Sequence, residues 1–166
     1  MADLNRPAGD NSIIEEPRKI PEMLNVLTIL TFIGSGLGIV SALWGFARAK
    51  ASYDQLASMN LDQMPDFAKR MMGNDPVEMA RRSLENRLPI LLLSLIGCAL
   101  CIYGAIQMRK LKKTGYTFYV LGEVLPIITS AIFLGTGALM GFGGIIGTII
   151  VLVFIILYAS QLKYLR

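Results

Sequence analysis

Residues 24–46 read LNVLTILTFIGSGLGIVSALWGF. Coiled as an α-helix at 1.5 Å per residue, that uncharged run is roughly 35 Å long, enough to cross a hydrocarbon core of about 30 Å. Three further runs repeat the pattern. Residues 88–108 and 145–162 carry no charge, and residues 116–139 carry one, Glu123. All 16 Lys and Arg, and 11 of the 12 Asp and Glu, fall in the first 22 residues, residues 48–87, residues 109–113 and the last four. Charge is therefore segregated along the chain, as in a polytopic membrane protein. The predicted fold is all-α. It has four transmembrane helices at about 22–47, 88–108, 116–139 and 145–162, with a 40-residue amphipathic helical insert, residues 48–87, between the first two.

The residue inventory excludes several chemistries. There is no histidine, which removes Ser-His-Asp and Cys-His nucleophiles and His-ligated zinc or haem. Two cysteines cannot supply a structural zinc site or a four-Cys iron–sulfur site. No cofactor is expected. The formal charge of +4 does not point to nucleic acid, because no basic face with interleaved aromatics is present. Lys and Arg retained beside anionic lipid account for it.

Residues 1–20 are polar and proline-interrupted and read as a mobile segment outside the four-helix domain of 21–166. They have no apolar core and do not read as a signal peptide. Within the insert, Met64, Phe67, Ala68, Met71 and Met72 recur at helical spacing and form one apolar stripe. That stripe would meet a partner or the membrane surface, or would simply cap the bundle. Asp75-Pro76-Val77-Glu78 reads as a helix start, with Asp75 as N-cap and Pro76 at the first position. Pro89 is expected to bend the entrance to the second span. The stretch 140–144, MGFGG, reads as a tight turn that makes spans three and four an antiparallel hairpin. With both termini cytoplasmic, that side carries nine Lys and Arg against seven on the other. The loop 109–113 adds a dense acid-free cluster, and both rules favour this orientation.

Three constellations could carry function. Gly34, Gly38 and Ala42 in span one, and Gly97, Cys101 and Ala105 in span two, lie four residues apart. Small residues at that spacing let helix backbones approach closely in lipid, within the chain or against another subunit. Glu123 is the sole acid inside a span, followed by Pro126, and a charge there costs at least a few kcal/mol unless paired or neutralised. It is expected to be protonated and hydrogen-bonded to Asn25, Thr28, Tyr103 or Tyr119, or to face water. Its functional reading is a proton or cation site, and its plainer reading is a lock between helices. Cys98-Ala-Leu-Cys101 is the third, a C-x-x-C that sets two sulfurs on one helical face.

The string CALCIY, residues 98–103, resembles the redox motif of quinone-coupled membrane thiol oxidases, which are also four-helix proteins. That resemblance would imply thiol–disulfide exchange at Cys98 and Cys101. The oxidases' second cysteine pair has no counterpart here, and Gly104 and Ala105 stand where charged residues follow in that family. The plainer reading is two small packing residues. The segments LTFIGSGLGI and RKLKKTGYTFYVLGEVLPII resemble a set of small uncharacterised four-span inner-membrane proteins of Bacteroidota. This implies a bacterial inner-membrane location and no assigned activity. The leading functional expectation is a non-catalytic membrane protein, an accessory subunit or small oligomeric scaffold working through helix packing in the lipid bilayer. The alternative is a small proton- or cation-coupled transporter or channel built on Glu123, and the third is the thiol oxidoreductase.

Overall fold

In the computed structural model the described residues are 20–59, 65–67 and 75–165. They form α1 (Glu22–Ser58), α2 (Pro76–Glu85), α3 (Arg87–Arg109) and α4 (Thr114–Thr129), which runs on as a π-helical turn, Ser130–Leu134. A short α5 (Thr136–Met140) leads to α6 (Phe142–Gln161), which ends in a 3-10 turn, Leu162–Tyr164. No strand occurs among the described residues. Helices α1, α3, α4 with its π turn, and α6 are long and apolar enough to cross a membrane. The chain is all-α with four candidate spans, and Met64, Met71 and Met72 lie outside the described residues.

The first span does not stop where its apolar run stops. Helix α1 is 37 residues long, roughly 55 Å at 1.5 Å per residue. No glycine or proline separates Phe46 from Pro65, so nothing breaks the hydrogen-bond ladder when charge begins at Arg48. The helix therefore takes residues 48–58 with it, and the insert begins as a continuation of the span. Aromatic–cation contacts mark the interface. The Arg48 guanidinium sits 5.0 Å from the Trp44 ring, and Arg87 of α3 sits 5.2 Å from Phe46.

Asp75 caps α2 as its sequence predicts, its carboxylate accepting the Glu78 N–H at 3.1 Å. The Glu78 side chain instead turns to Arg81 and Arg82, each at 2.9 Å. These two guanidiniums hold the Glu78 carboxyl down at about 2. The junction to α3 falls at Asn86, with φ −103° and ψ 21°. Pro89 explains the position, since its missing N–H and its ring both act on the carbonyl four residues back, at Glu85.

The third span also differs from its sequence reading, which carried it to Leu139. Pro126 disturbs the ladder, a π turn follows, and Gly135 ends the span with φ +88°, a conformation that a side chain resists. A Cβ at Gly135 would lie 3.3 Å from the Arg82 guanidinium, so α2 rests on this end of the bundle. The connection to α6 contains α5 in addition to the turn at Gly141.

Helices α3 and α4 form the closest pair, joined by a short turn in which Leu111 adopts φ 59°. Gly97 and Gly104 on α3 face Gly122 and Gly115 on α4. A Cβ on Gly104 would meet the Gly115 carbonyl oxygen and the Tyr119 nitrogen at 2.7 Å, and one on Gly115 would meet the Gly104 oxygen at 2.6 Å. The contact is backbone on backbone, the arrangement that drives association where lipid removes the hydrophobic incentive. Helix α1 packs on α3 where Gly38 meets Cys98, and its Leu24 and Leu27 join a buried cluster with Cys101, Met108, Tyr119 and Tyr158. Helix α6 is peripheral: 6 % of its most apolar stretch is buried, against 22 % for α1 and α3.

Candidate functional site

Glu123 stands one helical turn beyond Tyr119 on α4, at the edge of the face that packs on α3. The two glycines and Tyr119 on that face are buried, while Glu123 is half-buried and lines two cavities that α6 also borders. The first, about 250 Å³, lies between α1, α4 and α6, with Thr31, Gly34, Ser35 and Tyr119 beside the aliphatic and aromatic wall of Ile150 and Phe154. The second, about 240 Å³, lies between α4, α5 and α6 and is lined by Pro126, Ser130, Gly144, Gly147 and Thr148 as well as Glu123.

A buried polar seam ties this site together. The Thr31 and Tyr158 hydroxyls share a hydrogen bond of 2.7 Å between α1 and α6. The Tyr158 ring packs on Tyr119 with centroids 4.4 Å apart. Tyr119 and Cys101 lie within reach of the Glu123 carboxyl, and the Cys101 thiol also points at the Tyr119 carbonyl oxygen, 3.9 Å away. Among the described residues no Lys or Arg lines either cavity. The ion pairs among the described residues lie on α2, where Glu78 and Glu85 meet Arg81 and Arg82. Among the described residues no three His, Cys, Asp or Glu side chains group closely enough to hold a metal ion.

The structure thus brings Tyr119 to Glu123 and leaves Asn25 elsewhere. Asn25 belongs to the first turn of α1, six residues before Thr31, roughly 9 Å along the axis. Its carbonyl accepts the Thr28 hydroxyl at 2.9 Å. Tyr103 accepts a hydrogen bond from the Gln107 amide at 2.7 Å and packs edge-on against Phe118. The small residues of span one divide. Gly34 opens onto the first cavity, Gly38 meets the Cys98 sulfur (3.1 Å from its would-be Cβ), and Ala42 lines a third cavity of about 200 Å³ beside Arg87. Gly97 and Cys101 lie in the α3–α4 contact, where Cys101 abuts Gly122. Both cysteines are free, with Cys98 turned to α1 and Cys101 to α4. Phe67 is 72 % exposed.

Sequence reasoning missed Gly104, Gly115 and Gly122. Their signal was a seven-residue spacing, 97 to 104 and 115 to 122, matched across an antiparallel turn, whereas the sequence reading followed four-residue spacing. It also missed Thr31, Ser35, Ser130, Thr148 and Tyr158 as neighbours of the site. Each is a single hydroxyl in an apolar run, and none has a local signature. No protein-family model, curated protein or solved structure matches the chain.

Proposed function

We propose that this chain is a non-catalytic integral membrane protein that works through helix packing, as an accessory subunit or small oligomeric scaffold. We place it in a bacterial inner membrane with both termini cytoplasmic, where the Lys110–Lys113 cluster and Lys163 face anionic lipid. The observation that carries the reading is the unpaired state of its outer faces. Among the described residues, helix α6 is buried over only 6 % of its apolar stretch, and Gly36 of α1 and Gly143 of α6 have open space where a Cβ would stand. Small residues facing outward in lipid favour a second helix, because backbone approach is what associates helices there. The test is native mass of the full chain in nanodiscs, wild type against Gly36→Leu, with identification of whatever co-purifies. An oligomer or stoichiometric partner that the variant loses supports the reading. A monomer without companions refutes it.

A second reading is a small proton- or cation-coupled transporter or channel, and its support is the pair of cavities that Glu123 lines. Its test is dissipation of a pH or cation gradient in vesicles, wild type against Glu123→Gln.

A further inference from the structure

The geometry points to Glu123 as a proton-binding site that exchanges its proton through water in the two cavities beside it, and not as a site for a metal cation. This rests on the second reading above and deepens it by naming the ligand. Among the described residues no second carboxylate lines either cavity. Glu123 lines cavities of about 250 and 240 Å³. A water occupies roughly 30 Å³ of liquid, so each has room for several, provided polar partners exist. They do. Thr31, Ser35 and Tyr119 supply hydroxyls on one side, and Ser130 and Thr148 on the other. A hydroxyl both donates and accepts, which is what passing a proton between waters and a carboxyl requires.

A metal cation asks for more oxygen than this. Hard cations take about six oxygen ligands in one shell. Here Glu123 is the one carboxylate lining either cavity, and among the described residues no three His, Cys, Asp or Glu side chains group closely enough to hold a metal ion. Pro126 leaves the Gly122 carbonyl without its helical N–H, but that oxygen faces α3, 3.1 Å from where a Gly97 Cβ would be. The one freed carbonyl therefore points away from the cavities. The titratable groups nearest Glu123 are Tyr119 on its own helix, Cys98 and Cys101 on α3 and Tyr158 on α6, with none from the lining residues of α1.

The test uses dicyclohexylcarbodiimide, a lipophilic carbodiimide, on the full chain in nanodiscs. It reacts with a protonated carboxyl by addition. The acid proton moves to a carbodiimide nitrogen, the carboxyl oxygen bonds to the central carbon, and rearrangement to the N-acylurea loses nothing. The Glu123 peptide should gain the mass of one reagent molecule. Its yield should fall about tenfold per pH unit once the carboxyl is mostly ionised, and sodium, lithium or potassium at constant ionic strength should leave it unchanged. No adduct at Glu123 at any pH, a pH-independent yield, or protection by one of those cations would each overturn the assignment. Proton flux in vesicles is the separate measurement. Equal flux from wild type and Glu123→Gln would retire the transport reading while leaving the labelling result to decide the ligand.

Discussion

Replacing Gly104 by alanine places one methyl group between two backbones. Its carbon would fall 2.7 Å from the Gly115 carbonyl oxygen, 2.7 Å from the Tyr119 nitrogen and 3.0 Å from the Tyr119 Cα. Carbon contacts are comfortable at about 3.5–4.0 Å, so α3 and α4 must part by close to 1 Å. None of the three atoms belongs to a side chain that can swing aside. Overpacking of this kind costs roughly 1–3 kcal/mol, with the upper end expected here. Alanine's helix preference over glycine returns about 1 kcal/mol. The net loss is about 2 kcal/mol, or ~30-fold in the open fraction at 1.4 kcal/mol per decade. Cys101 reports that opening, because it lies in the same interface and is 6 % exposed. Its native-state alkylation should accelerate ~30-fold in Gly104→Ala. The same change at Gly45, with nothing within 4 Å of the new Cβ, should leave Cys101 at its wild-type rate and raise helix stability by about 0.5–1 kcal/mol. Wild-type protection of Cys101 in Gly104→Ala would refute the backbone-contact account.

Three other expectations are open to direct measurement. Tyr158→Phe removes the 2.7 Å bond to Thr31; a double-mutant cycle with Thr31→Val should give a coupling of about 0.6–1 kcal/mol, and zero coupling would mean the bond does not hold α6. Asp75→Ala deletes the α2 cap at Glu78 and should cost that helix about 1 kcal/mol, visible as faster amide exchange at Val77–Met79 and nowhere in the spans. Glu78, held near 2 by Arg81 and Arg82, is depressed below its ordinary 4.5. Its contribution to α2 is complete above the ordinary value and is lost only as pH falls through about 2, so NMR of its carboxyl carbon should place the midpoint there and high salt should raise it.

The spans were legible because charge is expensive in hydrocarbon, so uncharged runs had to be the crossings. The α2 start was legible because a cap is local chemistry, four consecutive residues long. Where α1 ends was not, since polarity marks the membrane boundary while helix termination needs a breaker, and residues 47–58 contain none. Glu123 announced itself by being the lone acid, yet its surroundings did not. Tyr119 shares its helix and could be placed by spacing, whereas Thr31, Ser35 and Thr148 reach it through helix rotations that an apolar sequence leaves undetermined. Asn25 does not line the cavities because it sits six residues before Thr31, roughly 9 Å along the α1 axis.

The bond between Thr31 and Tyr158 also sets an order of events in biogenesis. It joins residues 127 apart in sequence, while the glycine contacts of α3 and α4 close over a much shorter loop and incur far less chain entropy. The α3–α4 pair can assemble once Thr129 has left the ribosome. Tyr158 follows a few seconds later at roughly 5–20 residues per second. Until then the Thr31 hydroxyl and Ser35 on α1 await their neighbours in the lipid. Helix α6 thus joins α1 only after α3 and α4 have paired, and Tyr158 is the residue that covers the hydroxyl of Thr31.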